Sequence, residues 1–221
     1  MNLIDTTLVH KTGPLPSGGQ EKHPTIVLLH GRGSNEDDLL GLAPYLDGRL
    51  FLVAARAPLD FPYGGYTWYQ MQDIGSPDWR TFTESYHELV TFLEDVKKGY
   101  PADPEQMYLF GFSMGSVMSL ALGLTRPQDF RGVVAHSGYV PEGSGLAFQT
   151  EQLSRTVFFV AHGVEDQVIP VSHGRRASEL LSELKATFTY REYPMGHQVS
   201  EESLGDIAEW LTRALDGGNN R

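Results

Sequence analysis

Apolar positions along this chain follow two rhythms. Thr25–Leu29, Leu50–Ala55, Met107–Phe112, Gly132–Ala135 and Thr156–Ala161 are short unbroken apolar runs, the pattern of strands covered on both faces. Thr187–Tyr193 adds a further strand, and residues 2–11 alternate enough for an edge strand. Helical spacing governs much of the rest. Thr81–Lys98 is the clearest case: Phe82, Tyr86, Leu89, Leu93 and Val96 share one face, Thr81 with Glu84 makes a capping box, and Lys97, Lys98, Gly99 and Pro101 close the element. A second helix carries Ala177, Leu180, Leu181 and Leu184, and a last one runs from about Ser200 to Leu215 with Leu204, Ile207 and Leu211 inward. Asn35 and three acids precede an apolar-periodic stretch to Leu46, which suits a helix N-terminus. Strands alternating with helices predict an α/β fold with a mostly parallel sheet and helices on both faces.

Three stretches break the rhythm. Thr12–Pro24 is a turn-rich loop, as is Ser137–Thr150. Ala57–Trp79 carries Phe61, Tyr63, Tyr66, Trp68, Tyr69 and Trp79 among prolines and glycines with no periodicity. Long irregular segments in compact domains are usually functional, so this one is predicted to fold over a pocket; the plainer alternative is that its rings plug one end of the sheet.

The chain has 221 residues, enough for one well-buried core and short for two enzyme-sized domains. It is read as one domain over residues 1–221, with its core at about 25–215 and a frayed tail at 217–221. A net charge of −11 argues against nucleic acid or an anionic membrane surface as partner. The absence of cysteine excludes disulfides, thiolate metal sites and a Cys nucleophile. MNLIDTTLVHK lacks the basic and apolar regions of a signal peptide, and no window has the length of a membrane span, so a cytoplasmic protein is expected.

The chemistry centres on Met107–Leu124, M-Y-L-F-G-F-S-M-G-S-V-M-S-L-A-L-G-L. A short aromatic strand run meets a helix that is apolar nearly all round, and between them lies Gly111-Phe112-Ser113-Met114-Gly115. Composition alone would produce G-x-S-x-G in roughly one such sequence in six. Its place between a buried strand and a buried helix is what makes Ser113 the candidate nucleophile, lifted onto a tight turn at a helix N-terminus. A serine needs a base and a group to orient that base. Downstream lie His136, His162, His173 and His197; the first two end apolar runs as structural histidines do, and His173 lies at a helix start. His197 follows the last strand in Y-P-M-G-H-Q and is the candidate base. Gly163-Val164-Glu165-Asp166 offers two carboxylates, of which Asp166 is preferred, although spacing alone does not separate it from Glu165. An oxyanion hole needs two backbone N–H groups: that of Met114, after the nucleophile, and that of Arg32 in His30-Gly31-Arg32-Gly33.

At these residues the chain resembles the phospholipase/carboxylesterase group of small α/β-hydrolases, which includes acyl-protein thioesterases. The resemblance rests on L-L-H-G-R-G at 28–33, G-F-S-M-G-S at 111–116, H-S-G-Y-V-P at 136–141, H-G-V-E-D-Q-V-I-P at 162–170 and G-H at 196–197, and covers roughly Thr25 to Leu211. It implies an α/β-hydrolase without a separate cap domain, Ser113, Asp166 and His197 as triad, the Arg32 and Met114 amides as oxyanion hole, and a loop around Trp68-Tyr69 bordering the acyl site. The group often has Leu after His-Gly and Gln after the nucleophile, where this chain has Arg32 and Met114. The expected activity is hydrolysis of short- to medium-chain acyl esters, a small-molecule substrate, without metal or cofactor. Thioester hydrolysis and non-catalytic ligand binding are the alternatives. A monomer or a homodimer fits equally.

Overall fold

Residue alternation along the buried strands decides how the layers assemble. In the computed structural model, which describes residues 2–17, 21–71, 73, 76–149 and 152–217, Val27 and Leu29 enter one apolar core while Ile26 and Leu28 enter another on the opposite face. The same holds for Met107 and Leu109 against Tyr108 and Phe110. Unbroken apolar runs are what a sheet buried on both sides demands.

The sheet has seven strands: β1 (His10–Thr12), β2 (His23–Leu29), β3 (Phe51–Ala55), β6 (Ala102–Phe112), β7 (Gly132–His136), β8 (Val157–Gly163) and β9 (Thr187–Tyr193). Their order is β1-β3-β2-β6-β7-β8-β9, with β4 (Leu59–Asp60) and β5 (Tyr66–Thr67) forming a separate hairpin. All neighbours are parallel except β1 on β3. Helices α1 (Trp79–Gly99), α2 (Met114–Thr125) and α3 (Ser172–Glu183) supply the core on one face; α4 (Glu201–Leu215) and a 3₁₀ segment at Leu39–Tyr45 cover the other. From β2 the chain passes to β3 on one side and later to β6 on the other. The strand order therefore reverses between β2 and β6, and open α/β sheets bind ligands at the carboxyl ends of such a switch point.

Several element ends differ from the sequence pattern. The edge strand at 2–11 contracts to His10–Thr12, because β1 pairs only with Val53–Ala55 while Leu3 and Val9 stand exposed. The segment before Leu46 is 3₁₀, with Pro44 inside it removing a backbone donor. Helix α1 starts earlier than its apolar face, and Asp78 rather than Thr81 is its cap: the Asp78 carboxylate accepts from the N–H groups of Arg80 and Thr81 at 2.9 and 3.1 Å. Glu84 pairs with the Arg80 guanidinium instead of closing a capping box. The aromatic segment contains the β4–β5 hairpin, and Trp68 and Tyr69 lie wholly inside the core of the α1–α3 face. Thr150 lies outside the described residues, as does the tail beyond Gly217.

Candidate active site

The turn after β6 is too tight for ordinary residues. A methyl on Gly111 would run into the Gly115 carbonyl, and one on Gly115 into the Leu29 carbonyl of β2, so both positions require glycine for β2, β6 and α2 to approach. Ser113, between them, has φ 55° and ψ −118°, a conformation that L-residues seldom adopt. Its N–H donates to the His136 carbonyl at 2.9 Å, and its own carbonyl accepts the first hydrogen bond of α2 from Val117. The hydroxyl stands at the start of that helix, in a side chain only 7% exposed.

Three side chains from distant parts of the chain meet here. Ser113 Oγ lies 2.9 Å from His197 Nε2, and His197 Nδ1 lies 2.7 Å from Asp166 Oδ2. A carboxylate can only accept, so the ring proton sits on Nδ1 and Nε2 is left to accept from the serine. The other Asp166 oxygen accepts the N–H groups of Val168 and Ile169 at 2.9 and 2.8 Å, an Asx-type turn that holds the carboxylate. Asp166 is buried and Glu165 is exposed, so of the two acids only Asp166 faces the imidazole. His197 packs its ring on Phe112, with centroids 4.9 Å apart.

The loop after β2 abuts Ser113: a Cβ on Gly31 would sit 3.3 Å from that of Ser113. His30 accepts the Ala57 N–H on Nε2 at 3.0 Å, so its Nδ1–H donates to the Gly31 carbonyl at 2.6 Å. A trans peptide points its N–H opposite to its C=O, which turns the Arg32 N–H away from His30. Met114 is the first residue of α2, so its N–H has no acceptor within the helix. The β4–β5 hairpin braces this loop. Gly33 N–H donates to the Tyr66 carbonyl and Tyr66 N–H to the Ser34 carbonyl, while buried Glu36 clamps Arg56 through two bonds of 2.7 and 2.5 Å. Arg56 also reaches the Tyr66 hydroxyl at 3.0 Å and lies over the Tyr66 ring. Nothing local in the sequence marks that clamp.

Trp68 and Tyr69, expected to border an acyl site, are fully covered in this conformation. Trp68 Nε1 donates to the His30 carbonyl at 2.8 Å, and the Tyr69 and Tyr139 hydroxyls meet at 2.9 Å. Thr67 links the segment to the turn through the Met114 sulfur. The remaining histidines serve the frame. His136 bonds the Ser137 and Ser203 hydroxyls, and burial pushes its pKa down to about 3. Burial also lowers His30 and His162. His173 is half-buried against Tyr139. Among the described residues no group of His, Asp and Glu is arranged to hold a metal ion, and no helix is long and apolar enough to cross a membrane.

A family model described as phospholipase/carboxylesterase matches residues 14–215. Among curated proteins the chain is 27% identical to a probable carboxylesterase SOBER1-like of Arabidopsis thaliana over 179 residues, covering 77% of this chain and 68% of that one. It is 28% identical to acyl-protein thioesterase 1 of Yarrowia lipolytica, covering 85% of this chain and 90% of that one. Among solved structures the Bacillus cereus carboxylesterase superposes with a TM-score of 0.83 at 25% identity, over 94% of each chain. By the span and order of these matches, the chain belongs to the phospholipase/carboxylesterase family.

Proposed function

We propose that the protein is a serine carboxylesterase acting on short- to medium-chain acyl esters as one domain spanning residues 1–221, with Ser113 as nucleophile, His197 as base and Asp166 as acid. The observation that carries this is the hydrogen-bonded line from Ser113 Oγ through His197 to Asp166, at 2.9 and 2.7 Å. The hydroxyl attacks the acyl carbonyl as its proton passes to His197 Nε2. The Arg32 and Met114 N–H groups receive the oxyanion, and the Asp166 carboxylate holds the imidazolium that forms. His197 then protonates the leaving alcohol, and water, activated by the same imidazole, releases the acid from the acyl-serine. Trp68 and Tyr69 back the acyl site from inside the core, where apolar walls discriminate weakly per methylene.

Similarity to an acyl-protein thioesterase supports a second reading, hydrolysis of thioesters by the same steps. Matched oxygen and thio esters of graded acyl length separate the two. Ser113→Ala is expected to lower kcat on the preferred ester on the order of 10³-fold or more and to abolish labelling by a serine-reactive phosphonate. Retained turnover, or an adduct mapping elsewhere, refutes the assignment.

A further inference from the structure

Asp166 sits in a loop that is anchored in the core by one apolar side chain, Ile169. Val164 and Val168 on either side of Asp166 are 44% and 41% exposed. The loop's first half is tied by backbone bonds from Val164 and Glu165 to the Tyr193 and Met195 carbonyls. Its second half, Asp166 to Ile169, is tied by the Ile169 side chain, buried in the core, by the Asp166 carboxylate that accepts the Val168 and Ile169 N–H groups, and by the side chain of His162.

His162 is wholly buried at the end of β8, a strand paired on both edges. Its Nε2 lies 2.7 Å from the Ile169 carbonyl and 3.5 Å from Asp166 Oδ2, the same carboxylate oxygen that His197 Nδ1 meets. Both neighbours are acceptors, so Nε2 carries the proton. Ile169 in turn donates its N–H to Asp166 Oδ1 at 2.8 Å. Hydrogen bonds thus run from strand imidazole to loop carbonyl and from the same residue's amide to the carboxylate, whose other oxygen lies 3.5 Å from the imidazole. Nδ1, on the opposite side of the ring, has no hydrogen-bond partner among the described residues and faces Gly174 of α3, where a Cβ would lie 2.8 Å away. Glycine inside a helix weakens it relative to alanine. Here it leaves the space that lets the imidazole reach the loop. Burial lowers the pKa of His162 and so favours the neutral form that this geometry needs.

We infer that His162, seated against Gly174, is a positioning residue for the acid: it transfers the rigidity of β8 to Asp166 and thereby aims the His197 imidazole at Ser113. This rests on the triad reading above. A displaced acid lets the base tilt, and misplacement by about 1 Å can lower turnover on the order of 10²-fold.

The test uses the full chain with three variants. His162→Leu removes the donor, His162→Gln restores an amide N–H near the position of Nε2, and Gly174→Ala crowds the ring while keeping it. Activity is measured per site titrated with a phosphonate, alongside the low-field NMR resonance of the His197 Nδ1 proton and the pH profile of kcat/KM. His162→Leu is expected to lower kcat between about 10- and 10²-fold with KM changed less than about threefold, to shift the low-field resonance and to move the acid limb of the profile. His162→Gln should recover most of this, and Gly174→Ala should move each readout in the same direction as the leucine variant. An unchanged resonance together with kcat per site within about threefold of wild type, in either His162→Leu or Gly174→Ala, overturns the proposal. If His162→Leu fails to fold, Gly174→Ala decides alone. Failure of the triad reading registers separately, because Ser113→Ala would then leave esterase turnover intact, whereas the resonance still reports whether His162 holds Asp166.

Discussion

Lowering the pH from 7 to 5 should weaken the fold by about 2 kcal/mol through His136 alone. The imidazole is completely buried, both ring nitrogens meet serine hydroxyls at 3.0 and 3.1 Å, and desolvation pushes its pKa down to about 3, with His162 and His197 adding to the effect and Asp166 opposing it. In the unfolded chain the same group titrates near the ordinary value of 6.5. Below 6.5 the unfolded state therefore binds a proton that the folded state refuses. Each further pH unit favours unfolding by about 1.4 kcal/mol until pH falls to about 3. At pH 5, about 1.5 pH units below 6.5, this amounts to about 2 kcal/mol, a large share of an ordinary domain's 5–15 kcal/mol. Burial of His30 and His162 acts in the same direction. Asp47 acts in a separate window: hydrogen bonds from Arg49 hold its pKa at about 2, so its contribution is present above 3.8 and lost only as pH falls toward 2. Urea unfolding followed by circular dichroism at pH 7, 6 and 5 measures the slope. His136→Gln should be less stable at pH 7 and flatter across the interval. A wild-type protein equally stable at pH 7 and 5, or a glutamine variant with the wild-type slope, refutes the account.

Asp78→Ala should cost about 1 kcal/mol in urea unfolding, since it removes the side-chain acceptor at the start of α1. A loss below about 0.3 kcal/mol would return the cap to Thr81. Glu36→Ala should destabilise on the order of 1–3 kcal/mol, because it strips both carboxylate bonds from a guanidinium that is itself largely covered. It should also lower kcat more than it raises KM, because the Arg56–Tyr66 contact braces the loop carrying the Arg32 amide.

Which features were legible in the chain follows from how locally each is encoded. The central strands were, because burial on both faces writes an unbroken apolar run: Thr25–Leu29 and Met107–Phe112 lie within β2 and β6. The polar start of β6, Ala102–Gln106, was not, since only the pairing of Ala102 with His23 makes it strand. The order Ser113, Asp166, His197 could be read because a tight turn and two strand-end loops constrain residue type. Spacing alone did not separate Asp166 from Glu165 and the choice rested on the family resemblance; the structure adds an Asx turn at 166–169 that holds the Asp166 carboxylate. The aromatic segment was misleading because ring content reports burial without saying what is buried against what. Trp68 fills the core behind His30, where the pattern left open a loop over a pocket or a plug at one end of the sheet. The Glu36–Arg56 clamp joins the loop after β2 to the end of β3, and no window of sequence contains that pairing.

Two non-glycine residues with positive φ, Ser113 at 55° and Ser137 at 53°, occupy neighbouring strand ends and brace each other. Ser113 N–H bonds the His136 carbonyl, and Gly138 packs against Ser116 in the first turn of α2. Such conformations store on the order of 1–3 kcal/mol each and persist only where packing over-determines them. A helix buried on every side, as α2 is, supplies that packing. The strain at Ser113 comes from its Cβ, so its alanine and glycine variants should differ in stability although both lack the hydroxyl. Ser113→Ala keeps the Cβ and the strain. Ser113→Gly releases it, against roughly 0.5–1 kcal/mol for the greater freedom of glycine in the unfolded chain. The glycine variant should therefore be the more stable of the two by about 1 kcal/mol, with both devoid of Ser113-dependent turnover. Parallel urea titrations decide the matter. An alanine variant more stable than the glycine variant by about 0.5–1 kcal/mol, the entropy difference alone, would mean that the turn at 113 carries no strain, and that the placement of the hydroxyl owes nothing to a conformation held against its own preference.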